Sequence, residues 1–165
     1  MNDSFILRDR IWREQNERVT LSSSATFAAN SLGRNIDEDP DTFRTCFERD
    51  RDRIIHSKTF RRLKHKTQVF INPDGDHFIT RMTHTLNVTQ VGRSIARTLG
   101  FNPDLTEAIC LGHDVGHSPF GHTGEDVLND MLDGGWSHSE NSVRMLSVIE
   151  PLNLTKETIN GIEKH

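Results

Sequence analysis

Residues that typically begin or end a helix recur at short intervals from Asp41 onward, and this punctuation restricts the fold more than any other feature of the sequence. Asn102 followed by Pro103 is a typical helix start, because the asparagine side chain can cap free backbone N–H groups and proline lacks one. Other candidate starts are Thr123, Ser139 and Thr155, and candidate ends are Gly100, Gly134-Gly135 and Pro151. The sequence therefore predicts an all-α fold.

Two segments depart from this helical pattern. Residues 1–40 contain a serine run and an acidic run before Pro40, and we expect them to form a weakly ordered arm or loop. Residues 67–79 are β-like around an Asn-Pro-Asp-Gly turn signature, which predicts a short hairpin. The predicted organisation is an N-terminal arm over 1–40 and one helical domain over 41–165.

The composition argues against several classes of protein. Two cysteines among 165 residues cannot build a disulfide framework, so we expect a reducing compartment. The longest near-apolar stretch, 108–112, is far shorter than a membrane span. The first ten residues carry four charged side chains where a secretory signal would have an apolar segment. The sequence therefore predicts a cytoplasmic protein rather than a secreted or transmembrane one.

Basic residues are concentrated between Phe43 and Lys66. Nine Lys and Arg residues stand against three acidic ones in this block, although the whole chain has a formal charge of −4. Such a block can attract phosphate groups. It can equally be a solvated amphipathic helix with its own ion pairs, and the charges alone do not decide between these interpretations.

Three histidines lie within ten residues, in His-Asp-Val-Gly-His-Ser-Pro-Phe-Gly-His at 113–122. Ile109 and His113 are four residues apart, which places His113 on the buried face of a helix. Gly116 can end that helix. A buried imidazole beside Asp114 at a helix end is a candidate for metal binding.

His84 lies on a second stripe at helical spacing, with Val91 and Ile95, so it is also predicted to face the core. A single histidine on an apolar stripe is more often a core residue bonded to backbone. Two such histidines with an adjoining aspartate favour a site formed by His84, His113 and Asp114. Nitrogen and carboxylate ligands suit Mn²⁺, Fe²⁺ or Zn²⁺, and Mg²⁺ less well.

Consecutive strings of the sequence resemble the HD superfamily of metal-dependent phosphohydrolases, and within it the deoxynucleoside triphosphate triphosphohydrolases, the dGTPase-like proteins. These strings are RDRIIHS at 51–57, FRRLKHKTQVF at 60–70, TRMTHTL at 80–86 and HDVGHSPFGHTGE at 113–125. The resemblance runs from about Phe43 to His165. It implies an HD-domain helical bundle and hydrolysis of a dGTP-like deoxynucleoside triphosphate to deoxynucleoside and tripolyphosphate.

The resemblance also assigns roles to individual residues. His84, His113 and Asp114 would bind a divalent metal, Mg²⁺ or Mn²⁺, with Fe²⁺, Co²⁺ or Zn²⁺ as alternatives. The other roles are orientation or deprotonation of water by His122 and Glu125, proton donation to the leaving oxygen by His138, phosphate binding by Arg81 and sugar contact by Gln68. Beyond the substrate, the resemblance implies homo-oligomers, regulation by single-stranded DNA or an effector nucleotide, and no membrane partner.

Each polar residue also has a simpler interpretation. His122 could cap a helix, His138 could be exposed ahead of its helix, and Glu125 could be a surface carboxylate at a helix start. The chain lacks the later aspartate that serves as fourth ligand in the family, and its apolar content is only 33%. The alternatives are a truncated, catalytically weak or inactive nucleotide- or metal-binding remnant, or another HD phosphohydrolase such as a nucleotidase or phosphodiesterase.

Overall fold

The computed structural model describes residues 7–66 and 80–165, and eight α-helices lie within these ranges. The helices are α1 (Arg10–Thr20), α2 (Cys46–His56), α3 (Lys58–Arg62), α4 (Arg81–Leu99), α5 (Pro103–Gly112), α6 (Gly121–Met131), α7 (His138–Arg144) and α8 (Lys156–Glu163). The prediction of an all-α fold is confirmed. The predicted hairpin over 67–79, and Gln68 with it, lies outside the described residues.

Local capping explains where several helices begin and end. The Asn102 side chain accepts hydrogen bonds from the backbone N–H groups of Asp104 and Leu105, at 3.1 and 3.2 Å, and starts α5 as predicted. Gly100 ends α4 with a φ of +71°, a left-handed conformation that glycine adopts without steric cost. Thr155 caps α8, also as predicted.

Two predicted helix starts are displaced. α6 begins at Gly121 rather than after Thr123, because Phe120 and Gly121 take left-handed conformations that turn the chain three residues earlier. α7 begins at His138, because the hydroxyl of Ser137, and not that of Ser139, accepts the capping bond.

The hydrophobic core lies around α5, which packs against α2, α4 and α8. Glycines let these helices approach closely. A Cβ on Gly112 would lie 2.3 Å from the Ile162 side chain, and one on Gly161 would lie equally close to Ile109. The core residues are Ile54, Phe60, Leu63, Ala108, Leu111, Val115, Leu146, Leu154 and Ile162.

The prediction that Val91 and Ile95 belong to a buried stripe of α4 is wrong. Val91 and Ile95 are 60% and 53% exposed. The helix instead buries small and polar residues, such as Thr85 and Ala96, against its neighbours. Gly92 on this side approaches Cys110 of α5, so close packing rather than large apolar side chains defines the buried face. Within the described ranges, no helix combines the length and apolarity that crossing a membrane requires.

Part of the predicted N-terminal arm is helical, because residues 10–20 form α1 and Asp9 caps its first turn. Farther along, the Arg34 guanidinium donates to the buried Asp50 carboxylate and to the carbonyl oxygen of Asn153, both at 2.5 Å. Polar contacts, which leave no periodic apolar signal, hold this segment against the helices. Sequence patterns therefore missed its structure.

Candidate active site

Six histidines form a row between the start of α4 and the end of α8, beside the loop that joins α5 to α6. Adjacent rings in this row lie 4.6 to 6.0 Å apart between centroids. In spatial order they are His84, His113, His165, His138, His117 and His122. The predicted metal-binding and catalytic histidines therefore share one region of the surface.

The first end of the row is formed by His84 on α4 and His113 just after α5, with ring centroids 6.0 Å apart. The Nδ1–H of His113 donates to the carbonyl oxygen of Cys110 at 2.7 Å, because a carbonyl can only accept. This bond leaves Nε2 with its lone pair, the arrangement that metal-ligating histidines usually have. Burial lowers the pKa of His113, which favours the neutral, ligating form.

Asp114 is buried beside this pair, but its carboxylate binds a guanidinium. Arg81 Nη1 donates to both carboxylate oxygens at 2.9 Å. Burial opposes ionisation of Asp114, but the charge of Arg81 and the hydrogen bonds from Arg81 outweigh it and lower the pKa of Asp114. The ligand atoms of His84, His113 and Asp114 do not all converge within 4.8 Å of one another. The structure thus brings the two imidazoles together and directs the carboxylate toward Arg81.

Arg81 keeps hydrogen-bonding capacity despite this ion pair. A guanidinium has five N–H donors, and only Nη1 is used on Asp114. Its Nε is buried without a partner in the described part of the structure. The predicted phosphate-binding role of Arg81 is therefore compatible with its pairing to Asp114.

At the other end of the row, His117, Glu125 and His138 place their ligand atoms within 4.8 Å of one another. Glu125 accepts hydrogen bonds from the backbone N–H and from Nδ1 of His138, at 3.0 and 2.9 Å. The His117 ring stacks on His138 at 4.6 Å. Two nitrogens and a carboxylate form a donor set that suits a divalent transition metal ion.

His117, to which the sequence assigned no separate role, is the most buried member of this group, with 3% of its surface exposed. Burial, reinforced by the charge of Arg81, lowers its pKa to about 4, so the ring is neutral at neutral pH. Its Nδ1 has no hydrogen-bond partner among the described residues. A buried neutral imidazole with a free nitrogen is a fitting metal ligand.

The loop reaches this position because two glycines allow close backbone approaches. A Cβ on Gly116 would lie 2.1 Å from the backbone nitrogen of Ser142, and one on Gly124 would lie 2.0 Å from the Pro119 carbonyl oxygen. The Ser142 hydroxyl accepts a bond from the Gly116 N–H and donates one to the His113 carbonyl oxygen, at 2.9 and 2.8 Å. α7 thereby holds the loop in place.

The remaining predicted catalytic residue, His122, is largely exposed and donates from Nδ1 to Glu125 at 3.4 Å. His165 was not predicted. Its Nδ1 donates to the Ile162 carbonyl oxygen at 2.7 Å, and its Nε2 lies 3.0 Å from Nε2 of His138. The helical spacing of His165 from Ile162 was its only signal in the sequence.

A cleft of about 500 Å³ opens beside His117. Its lining includes the cationic side chains of Arg62 and Lys66 and the large side chains of Trp136 and Met145. Four arginines of the basic block, Arg44, Arg49, Arg51 and Arg53, form ion pairs with carboxylates. The exposed Arg62 in the cleft has no such pair among the described residues. The block thus combines both interpretations, with ion-paired arginines before α3 and available positive charge at Arg62, the last residue of α3.

Known proteins resemble this chain over most of its length. A family model described as "HD domain" matches residues 81–165. Proteins named deoxyguanosinetriphosphate triphosphohydrolase-like are 58% identical in Caldanaerobacter subterraneus subsp. tengcongensis, over 92% of this chain and 46% of the relative, and 52% identical in Clostridium tetani, over 99% and 47%. One in Clostridium perfringens is 57% identical, over 92% and 46%. The chain spans about half the length of these curated relatives.

Proposed function

Because the chain belongs to the HD-domain family, we propose that it carries the metal-binding part of a phosphohydrolase that converts deoxynucleoside triphosphates, dGTP among them, to deoxynucleoside and tripolyphosphate. The observation that carries the proposal is the convergence of His117, Glu125 and His138 beside the buried Arg81–Asp114 pair. In this proposal, residues 41–165 are the N-terminal part of the phosphohydrolase domain, and 1–40 are an arm that contains α1.

HD domains are metal-dependent, and the donor atoms of this chain fit a divalent ion. We expect His84, His113 and Asp114 to hold it. His113 presents a free Nε2, and the Asp114 carboxylate has lone pairs beyond the two that Arg81 engages. Mn²⁺ or Mg²⁺ is the expected ion, with Fe²⁺, Co²⁺ or Zn²⁺ as alternatives, and mixed nitrogen and oxygen donors favour the transition metals. When bound, the ion supplies Lewis-acid chemistry at the phosphoryl group.

We expect Glu125 and His122 to act on the attacking water. Burial opposes ionisation of Glu125, but its bonds from His138 outweigh this effect and lower its pKa, so the carboxylate is ionised at neutral pH. An ionised carboxylate with a neighbouring imidazole can orient a water molecule and accept its proton. Attack on the α-phosphorus breaks its bond to the 5′ oxygen, which takes a proton from His138.

The cleft beside His117 is the proposed binding site for the substrate. A deoxynucleoside triphosphate combines a polyanion with a flat aromatic base. Arg62 and Lys66 supply positive charge for the phosphates, and Trp136 supplies a surface on which a base can stack. Contact of Gln68 with the sugar stays a prediction, as do homo-oligomers, single-stranded DNA or nucleotide effectors, and a cytoplasmic location.

The products of hydrolysis test this proposal. Purified chain, Mn²⁺ and dGTP are incubated in H₂¹⁸O and the products are separated by anion exchange. We expect deoxyguanosine, and tripolyphosphate that carries the label, because attack at the α-phosphorus leaves the water oxygen on that phosphorus. A Glu125→Gln variant should lose the activity. Release of dGMP with pyrophosphate, or of dGDP with phosphate, would identify a different HD phosphohydrolase, and absence of products would favour an inactive remnant.

A further inference from the structure

Lys66 places a partly buried ammonium group against the turn that follows His113 and Asp114. Its Nζ donates to the carbonyl oxygens of Val115 and His117, at 3.0 and 2.7 Å. Burial lowers the pKa of Lys66 to about 8. Burying a charge is unfavourable unless hydrogen bonds compensate it, and two backbone carbonyls do so here. Such a group belongs to a defined local structure rather than to a solvated surface.

The backbone of Lys66 holds a second part of the site. Its carbonyl oxygen accepts a hydrogen bond from the backbone N–H of Arg81, the first residue of α4, at 3.1 Å. The Arg81 side chain in turn binds Asp114. A single residue therefore joins the start of the helix that carries His84 to the turn that carries Asp114 and His117.

We infer that Lys66 is a positioning residue for the metal site, which it serves by fixing the turn at 114–117 relative to the first turn of α4. The inference rests on the proposed function, because it assumes that side chains on these two elements bind a divalent ion. Lys66 acts through backbone carbonyls and contributes no ligand. Removal of groups that orient the metal ligands without touching the metal typically weakens metal binding by about 10- to 100-fold.

Metal titration tests this role without any turnover. The full chain is stripped with EDTA, and Mn²⁺ is titrated by calorimetry into the wild type and three variants. Lys66→Met should bind Mn²⁺ about 10- to 100-fold more weakly while its circular dichroism is unchanged. Lys66→Arg should recover most of the affinity, because a guanidinium can also donate to two carbonyls. Lys64→Met is the matched control, since Lys64 is exposed in the same turn, and its affinity should equal that of the wild type.

A folded Lys66→Met protein with wild-type affinity would overturn the inference. If that variant does not fold, the wild-type chain is used instead. Its lysines are acetylated, and mass spectrometry measures the rate at which each one reacts. Lys66 should then react much more slowly than Lys64, and equal rates would overturn the anchoring. A wild-type chain without affinity for Mn²⁺ would contradict the proposed function instead, and the acetylation rates would still test whether Lys66 anchors the turn.

Discussion

The imidazole rings of His117 and His138 stack with their centroids 4.6 Å apart and their planes inclined by 14°. This contact joins the loop after α5 to the first residue of α7. His138 is also bonded to Glu125, so the stack connects a buried neutral imidazole to an ionised carboxylate through one side chain. The three residues therefore form a preassembled group.

Replacing His117 with phenylalanine should separate the contribution of ring stacking to stability from the contribution of the ring nitrogens to metal binding. The Phe ring preserves the aromatic contact, so we expect the free energy of unfolding to change by less than about 1.5 kcal/mol. The variant loses both ring nitrogens, and Mn²⁺ binding should weaken at least about tenfold, because His117 interacts electrostatically with Asp114, one of the proposed ligands. Calorimetric titration measures the affinity, and His56→Phe, at an exposed position, is the control. Unchanged affinity would exclude a supporting role of His117 in metal binding.

The buried pair of Arg81 and Asp114 should make a large contribution to stability. Asp114→Asn leaves the Arg81 guanidinium buried without its counter-charge, and removing one partner of such a pair typically costs about 3–5 kcal/mol. Urea unfolding followed by circular dichroism measures the loss. Asp126→Asn, at an exposed position of α6, should change stability little. A decrease of less than about 1 kcal/mol in the free energy of unfolding is typical of exposed ion pairs and would contradict the described pairing.

Glu38 should make the free energy of unfolding depend on pH in the acidic range. Hydrogen bonds from Arg53 lower the pKa of Glu38 from 4.5 to about 2, so this carboxylate stabilises the fold above pH 4.5 and loses that effect as pH falls through about 2. Urea midpoints of wild type and Glu38→Gln should therefore differ at pH 7 and converge near pH 2. Asp39→Asn, next in the chain, should match the wild type at both values. A Glu38→Gln midpoint equal to that of the wild type at pH 7 would contradict the pairing.

Gly116 should not accept even one methyl group. The Cβ of Gly116→Ala would meet backbone atoms of α7 at 2.1 Å, and overpacking of this kind typically costs about 1–3 kcal/mol. Gly92→Ala is a milder comparison, because its Cβ would meet the movable Cys110 thiol at 2.9 Å. Thermal unfolding of the two variants should rank Gly116→Ala as the less stable. The reverse order would show that the turn at 113–117 is looser than described.

Local signals in the sequence were sufficient for much of the fold. Caps such as Asn102 and Thr155 act on the adjacent helix turn, so their effect can be predicted without knowledge of tertiary structure. The buried face of α4 could not be predicted in this way. Its contact with α5 depends on small residues such as Gly92, whereas a search for apolar stripes selects Val91 and Ile95.

Site residues that depend on long-range contacts were the ones that sequence patterns missed. The Lys66 ammonium reaches carbonyl oxygens 49 and 51 residues away, and no local spacing indicates that contact. The approach of His165 to His138 likewise depends on how α8 packs. In contrast, the proximity of His84 to His113 was anticipated, although the apolar stripe used to argue for it was wrong.

Binding of a divalent ion by this chain is the central claim, and calorimetric titration of Mn²⁺ into the EDTA-stripped protein tests it most directly. Ion uptake that His113→Ala weakens at least about tenfold, and that the exposed control His56→Ala leaves unchanged, is the result we predict. Equal affinity in the wild type and His113→Ala, or no uptake by the wild type, would contradict the account.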